Sequence, residues 1–370
     1  MKILVVLNSL TIGGAENYTV GLMNQFVSNG HHVKLIVLAN ELSLKDRLSS
    51  MVELLVLPRK HKLDYGVLWQ LRKEVKSDTY DAIISSYVIY QKLAMIFANS
   101  KVVTFYPIHS TIPRTWQDSV IRKLIFKIKN KNEVFLTSID SQTKYFINKY
   151  NLSSKYFEQI LNGVDTDYFT ICQDCFDKET FLSKIGVPSG NKVILMVAGF
   201  REEKRHIDAF LAFKLLHSSY KKVSLVCVGN NNLTSKNHLE SFIREKKIGN
   251  VILLSASEAG EVRNYYWSCD LFTLTSNKVE TFSISALEAL ACGKPCVLTN
   301  IGGASDFITE MNNGSIVKPN DIESIKSGWS KVLNNLNSFN KDKIREKVVQ
   351  NYSIQTSAKQ YIELIKRKKT

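Results

Sequence analysis

The strongest constraint on the fold of this chain is an alternation between short, almost continuous apolar runs and stretches of helical pattern. In the first half the runs are KILVVLN, HVKLIVLA, VELLVLP, DAIISS, KVVTFYPI, EVFLTSI and EQILNG. After a polar stretch near residues 170–190 the pattern restarts with KVILMVAG, VSLVCVGN, VILLSA, LFTLTS, PCVLTN and SIVKP. Runs rich in β-branched residues and lacking polar alternation are strands buried on both faces, with the intervening helices as crossovers between parallel neighbours. Each half therefore predicts a doubly wound α/β domain that binds ligands beyond the C-terminal ends of its strands. A length of 370 residues, too great for one ordinary core, agrees with two domains.

The expected limits are residues 1–170 for the first domain, 171–190 for a linker, 191–345 for the second domain and 346–370 for a C-terminal helix returning towards the first. The linker is read from FTICQDCFDKETFLSKIGVPSGN, which has mixed polarity and a Pro-Ser-Gly break before the next strand.

Composition narrows the class. With 44% hydrophobic and 22% charged residues the chain reads as globular, and no apolar run reaches the roughly 18–20 residues that span a bilayer. The opening MKILVVLNSL lacks a small-residue cleavage pattern and reads as a first buried strand, not a signal peptide. The six cysteines include Cys172-x2-Cys175 and Cys292-x3-Cys296 but no paired knuckle with histidines. Cys227, Cys292 and Cys296 lie in apolar runs, where a thiol acts as a small hydrophobe, so a reduced, cytoplasmic compartment is expected. A net charge of +15 points to an anionic partner: nucleic acid, a membrane face or a phosphorylated substrate.

The segment ETFSISALEALACGKP, from Glu280 to Pro295, carries the most chemistry. LFTLTS predicts a strand ending near Ser276, and SISALEALAC predicts a helix capped by Ser283 and stopped by Gly293 and Pro295. Glu280 then lies in the strand-to-helix loop, and Glu288 lies about five residues into the helix, about 7.5 Å along its axis. Between them the free N–H groups of the first turn form an anion site. Two carboxylates beside such a site would repel the anion unless each accepts hydrogen bonds from hydroxyls. A sugar nucleotide meets that demand, since its diphosphate is flanked by a ribose and a hexose. The plain alternative is a solvated helix with an incidental Glu pair.

Other motifs surround this one in order: GGAE after the first strand, NGVDTDYF at the end of the first domain, FREEKRH after the first strand of the second, and NIGGASDFI after the helix. Over nearly its whole length the chain resembles the retaining, GT-B-fold glycosyltransferases of family 4, the glycosyl transferases group 1 type. Their signature is a Glu, seven residues and a second Glu, here Glu280 and Glu288, followed by Ala-x-Gly-x-Pro, here ACGKP. The resemblance implies an α/β GT-B architecture, two doubly wound Rossmann-like domains facing a central cleft, the first on the acceptor side and the second binding the nucleotide sugar.

It further implies that Glu288 holds the ribose hydroxyls, that Glu280 contacts the donor sugar, and that the amides of Phe282, Ser283 and Ile284 meet the diphosphate or sugar. Arg201 and Lys204 are the cations expected to offset the leaving diphosphate, a fixed positive charge being needed where a bond to phosphate breaks heterolytically. Gly13 and Gly14 would close on the donor phosphate and the acceptor, a close backbone approach that side chains would obstruct. Glu16 suits the start of the next helix. His109 matches a family histidine near the donor sugar. Two departures stand out: Thr281 replaces the usual Gly, and Gly199 stands where the commoner form has Arg.

The implied reaction moves a hexose or N-acetylhexosamine from a nucleoside-diphosphate sugar, a UDP-sugar, to a hydroxyl of a glycan or lipid-linked acceptor. Bacterial surface polysaccharide or glycolipid synthesis, such as lipopolysaccharide or capsule, is the expected setting. No cofactor or metal is expected. The Asp165-Thr166-Asp167 triplet imitates the metal motif of another transferase fold, but it is embedded in NGVDTDYF, a domain-exit segment in the resembled family.

A candidate for the positive charge is WQDSVIRKLIFKIKNK, residues 116–131. Trp116, Val120, Ile121, Leu124, Ile125 and Ile128 share a helical stripe, with Arg122, Lys123, Lys127, Lys129 and Lys131 on the remainder. Arg59, Lys60 and Lys62 of PRKHK form a second basic patch. One reading is an interfacial helix touching an anionic membrane at the inner face of the cell membrane. The other is an ordinary helix with its apolar stripe on the sheet and its lysines in water. Nucleic acid is not expected, since no reader motif accompanies the charge. Two rival functions share the fold: a sugar-nucleotide epimerase, and a non-catalytic partner or binding subunit.

Overall fold

The structure, a computed structural model, describes residues 1–369 except 12, 62–63, 78, 86–91, 94, 97–100, 110, 112–115, 129–131, 173–175, 230–232, 257–259 and 279. It divides into two compact units, Met1–Gly163 with Ile354–Thr370, and Val164–Ser353.

In the first unit the strands among the described residues are β1 (Lys2–Leu7), β2 (His32–Val37), β3 (Glu53–Val56), β4 (Ala82–Ser85), β5 (Thr104–Pro107), β6 (Glu133–Thr137) and β7 (Phe157–Gln159). They form one sheet in the order β3-β2-β1-β4-β5-β6-β7, and every pairing is parallel. Its helices among the described residues include α1 (Gly14–Ser28), α2 (Tyr65–Ser77), α3 (Trp116–Lys127) and α4 (Asp140–Tyr150).

Register assigns the faces of this sheet. Leu4, Ile83, Thr104 and Glu133 are successive partners across β1, β4, β5 and β6. Side chains alternate along a strand, so Leu4, Ile83, Tyr106 and Phe135 share one face. On that face Leu4 and Ile83 pack with Val67 and Leu71 of α2, and Tyr106 and Phe135 pack with Phe126 of α3. Val5, Ile84 and Phe105 line the other face, with Phe26 of α1 and Tyr361 of the C-terminal helix.

The second unit holds β8 (Lys192–Val197), β9 (Val223–Gly229), β10 (Val251–Ser255), β11 (Leu271–Leu274), β12 (Cys296–Thr299) and β13 (Gly314–Val317), a parallel sheet in the order β10-β9-β8-β11-β12-β13. Its helices are α5 (Lys178–Lys184), α6 (His206–Ser219), α7 (Leu233–Glu245), α8 (Val262–Ser268), α9 (Ile284–Ala291), α10 (Ala304–Phe307), α11 (Ile322–Leu333) and α12 (Lys341–Tyr352). Trp329 of α11 is fully buried, and its indole N–H donates to Thr273 Oγ1 on β11 at 2.9 Å. Helix α13 (Ile354–Lys369) packs in the first unit, where Tyr18 and Ser357 share a hydroxyl hydrogen bond of 2.5 Å.

Each apolar run read from the sequence carries one of these strands, β7 being the shortest. The domain limits differ from the sequence reading. Residues 164–190, expected as the end of the first domain and a linker, and residues 346–353, expected in the returning helix, belong to the second unit. Hydrogen bonds distant in sequence cause this. Val164 N–H donates to the Tyr352 carbonyl at 2.8 Å, and Trp267 Nε1 donates to the Thr170 carbonyl at 2.7 Å. Arg345 of α12 donates to the carbonyls of Thr166 (2.7 Å), Phe169 (2.7 Å) and Ala291 (2.8 Å). Composition in a local window records none of these contacts.

Candidate active site

In the second sheet β8 and β11 are neighbours, while the chain runs from β8 outwards to β9 and β10 and from β11 outwards to β12 and β13. This is a topological switch point, where a doubly wound sheet opens a crevice beyond its strand ends. The loops after β8 and β11 carry FREEKRH and the first half of ETFSISALE.

They meet through one ion pair. Lys204 Nζ lies 2.5 Å from Glu280 Oε2, with the two side chains 11% and 16% exposed. Ser276 Oγ donates to the same carboxylate oxygen at 3.1 Å. The backbone between is tied as well: Thr275 Oγ1 donates to the carbonyls of Lys204 and Arg205, each at 3.1 Å, and Asn277 N–H donates to the Glu203 carbonyl at 3.1 Å. Arg205 holds a left-handed conformation at φ 55° and forks onto Asp208 at 2.8 and 2.7 Å. His206 follows, buried, and desolvation together with the Lys204 charge pushes its pKa down to about 3. The ring is therefore neutral at pH 7. Arg201 stays about half exposed and touches Glu203 at 3.4 Å, so it is not gathered into the Lys204–Glu280 pair.

Helix α9 begins as its sequence predicts. Ser283 is extended, and its Oγ accepts from Ala286 N–H at 3.3 Å. Among the described residues the N–H groups of Phe282, Ser283 and Ile284 have no hydrogen-bond acceptor. These are the donors that an anion at a helix start would take. The Phe282 side chain points into the core between Phe307 and Tyr352, with ring centroids at 5.5 and 5.7 Å, and anchors the turn. Glu288, further along α9, accepts from the buried Tyr266 hydroxyl at 2.6 Å.

NIGGASDFI closes against the same loop. Gly302 has φ +56°, and a Cβ there would lie 2.2 Å from the Glu280 carbonyl oxygen. Gly303 N–H donates to the Thr281 carbonyl at 2.8 Å. Thr281 itself is buried and is not among the residues with positive φ. The exchange of Gly for Thr therefore costs no left-handed strain here.

The remaining candidates belong to the first unit. Gly13 precedes α1, and the Glu16 carboxylate fills the space its Cβ would take, 2.4 Å from that position. Gly14 is the first residue of α1. His109 follows β5 and stands edge-on to Tyr18, centroids 6.4 Å apart. Desolvation lowers its pKa, which leaves a neutral imidazole at pH 7.

The basic surface differs from the sequence reading. Arg122 is buried and donates to the Thr111 carbonyl at 3.1 Å, so it is not a surface cation. Arg59 reaches back to Asn8 at the end of β1, away from the exposed Lys60. Lys62, Lys129 and Lys131 lie outside the described residues. Of the apolar stripe expected on α3, Ile125 is buried, whereas Trp116, Val120, Ile121, Leu124 and Ile128 are exposed. The reading of an ordinary helix laying that stripe on the sheet is thus overturned. Phe126, Ile125 and Arg122 make the inward face.

Tyr266, Ser276 and Gly302 were not singled out from the sequence. Tyr266 sits in NYYWS, where it resembles any core aromatic, and only Gly302 carried a signal, as one of two glycines after β12. Asp165 of the Asp-Thr-Asp triplet accepts from the N–H groups of Asp167 (3.1 Å) and Tyr168 (3.0 Å), making a local turn.

Two doubly wound parallel sheets in one chain define the GT-B glycosyltransferase architecture, and solved structures share it. The Anabaena protein Alr3699/HepE in complex with UDP-glucose superposes with a TM-score of 0.83 at 18% identity, covering 99% of this chain and 100% of that one. WaaG, a glycosyltransferase involved in lipopolysaccharide biosynthesis, gives 0.76 at 14% identity, covering 99% of each. Residues 177–353 match the family described as Glycosyl transferases group 1, and residues 12–168 match Glycosyltransferase Family 4. The chain belongs to this family of glycosyltransferases. An uncharacterized glycosyltransferase of Methanocaldococcus jannaschii is 25% identical over 96% of this chain and 94% of its own length. The lipopolysaccharide 1,2-N-acetylglucosaminetransferase of Salmonella typhimurium is 23% identical over 47% of this chain and 45% of its own.

Proposed function

We propose that this glycosyltransferase moves a hexose or N-acetylhexosamine from a nucleoside-diphosphate sugar, a UDP-sugar, to a hydroxyl of a glycan or lipid-linked acceptor, with retention of configuration. The observation that carries the reading is the Lys204–Glu280 pair at the switch point, beside the unengaged N–H groups of α9. The diphosphate takes those N–H groups and Lys204, with Arg201 adding charge from its exposed position. Glu288, oriented by Tyr266, accepts from the ribose hydroxyls, and Glu280 accepts from the sugar.

As the sugar–phosphate bond breaks, negative charge grows on the leaving oxygen. Lys204 and the helix start stabilise it without reorganising. That oxygen takes the acceptor proton, so no separate carboxylate base is needed. The same cations serve the purpose a metal would serve, and activity is expected to survive EDTA. The UDP-glucose complex of the Anabaena protein supports the donor class, and the Salmonella relative supports an acceptor in bacterial surface polysaccharide or glycolipid synthesis. Five free cysteines among the described residues suit a cytoplasmic setting.

The test is sugar transfer from a panel of nucleotide sugars, with the product anomer read by NMR. Lys204→Ala should lose about 10²–10³ in kcat, the scale for removing one preorganised donor to developing charge. A folded Lys204→Ala protein with near-parental turnover, an inverted anomer, or activity lost in EDTA and restored by Mn²⁺ would contradict the corresponding part of this reading.

A further inference from the structure

Helices α2 and α3 cover the same face of the first sheet, because Leu4 and Ile83 beneath α2 share that face with Tyr106 and Phe135 beneath α3. Their outward surfaces therefore look the same way. At about 100° per residue, Tyr65, Trp69, Arg72, Lys73 and Lys76 of α2 fall within about 100° of arc. The core residues Val67, Leu71 and Val75 fall on the opposite side. Tyr65 is 73% exposed and Trp69 is 62% exposed, and the three cations beside them have no ion-pair partner among the described residues.

Helix α3 repeats the arrangement. Trp116, Val120 and Leu124 are 74%, 58% and 45% exposed. On the helical wheel Lys123 and Lys127 fall not on the remainder, where the sequence reading places them, but on the same side as these three, about 20° either side of Trp116. Both lysines are exposed. Ile125, directly opposite Trp116 on the wheel, is buried, and Phe126, about 110° from the centre of this face, is locked in the core.

We infer that these two helix faces together form the surface by which the protein docks onto an anionic lipid bilayer. The pattern of charge decides the occupant. A protein interface concentrates apolar side chains and depletes lysine at its centre. Here the lysines are interleaved with the apolar residues. A nucleic acid would match the cations but leave Val120 and Leu124 facing phosphates. A bilayer interface satisfies both: Trp and Tyr rings lie at headgroup depth, aliphatic side chains enter the acyl boundary, and lysines reach back to lipid phosphates. No helix among the described residues is long and apolar enough to cross a membrane, so the contact is peripheral. The proposal rests on the lipid-linked acceptor reading for its purpose, and on α2 and α3 alone for its geometry.

The test uses the full chain with phosphatidylcholine vesicles and with vesicles containing phosphatidylglycerol, read by co-flotation and by tryptophan fluorescence. Flotation with the anionic vesicles only, weakening as salt is raised, is expected. Lys123→Gln and Lys127→Gln should each weaken binding about fivefold, the effect of one basic residue near an anionic surface. Trp69→Ser with Trp116→Ser should abolish both flotation and the fluorescence blue shift, and none of these exposed positions bears on folding. No flotation, equal binding to phosphatidylcholine alone, parental binding by the tryptophan variant, or retention on an oligonucleotide without vesicle binding would each overturn the inference. Transfer to a soluble acceptor, measured on the same variants, should be unchanged. Flotation without any sugar transfer would refute the enzymatic reading and leave the docking surface standing.

Discussion

Replacing Glu280 by Gln should tighten the hold on a free nucleoside diphosphate while stopping sugar transfer. In the free protein the Lys204 ammonium is neutralised by Glu280 at 2.5 Å, and both side chains are largely withdrawn from water. An incoming diphosphate has to share Lys204 with that carboxylate and sit near its charge. For unit charges about 6 Å apart at an effective dielectric of about 20, the repulsion is roughly 3 kcal/mol. Screening and relaxation reduce this to about 1–2 kcal/mol, or a five- to thirtyfold lower Kd for UDP in the variant. The free variant pays for this in stability. Lys204 loses its partner, and because both groups keep some solvent contact the loss is about 2 kcal/mol, below the 3–5 of a fully buried pair. Titration calorimetry with UDP and thermal unfolding with and without UDP separate the two effects. The variant should melt lower alone and gain more from UDP, while turnover falls at least about a hundredfold. Equal or weaker UDP binding by a folded Glu280→Gln protein would show that this carboxylate does not border the phosphate site.

Tyr266→Phe removes the 2.6 Å hydrogen bond to Glu288 while keeping the buried ring. A bond to a charged acceptor of this kind is worth about 1.5 kcal/mol or more, so KM for the nucleotide sugar should rise about tenfold with kcat nearly unchanged. A fall in kcat at constant KM would contradict a ground-state role for Glu288. Gly302→Ala places a Cβ 2.2 Å from the Glu280 carbonyl oxygen at a backbone φ of +56°. The loop must move, at a cost of about 2 kcal/mol and most of the turnover; parental melting and activity would show that it gives way freely. His206 predicts an acid-sensitive fold. Burial pushes its folded pKa down to about 3 from the ordinary imidazole value of 6.5, so the unfolded state binds more protons between those values. Stability should be constant above pH 6.5 on this account and fall by up to about 1.4 kcal/mol per unit below it. Urea midpoints of the parent and His206→Leu at pH 7 and pH 5 check this, and parallel slopes for the two would refute it.

The parts of the fold that could be read from residues alone are those set by local patterning. The strand runs identify buried parallel strands because a strand covered on both faces admits no polar alternation. Ser283 identifies the start of α9 because its hydroxyl satisfies an otherwise unpaired N–H. The placement of Glu280 opposite Lys204 needed the order of motifs, since their loops meet only when β8 and β11 pair. Arg345, which gathers three carbonyls from residues 166, 169 and 291, left no local trace, and the domain limit drawn near it was displaced accordingly.

Helix α3 shows the same limit from the other side. A 3.6-residue period says which side chains share a face; it does not say which face the protein covers. The deciding partner is the cluster beneath α3, where Phe126 meets Phe135 and Tyr150 with centroids at 4.9 Å and Phe146 at 5.6 Å. That cluster accepts one aromatic side chain from the helix and so fixes its rotation. With Phe126 inward, Ile125 and Arg122 must follow it, and Trp116, Val120 and Leu124 are carried outward beside Lys123 and Lys127. Phe126→Ala would therefore do more than open a cavity, because that ring, with buried Ile125 and the Arg122 hydrogen bond to Thr111, holds the rotation that presents the apolar and basic face.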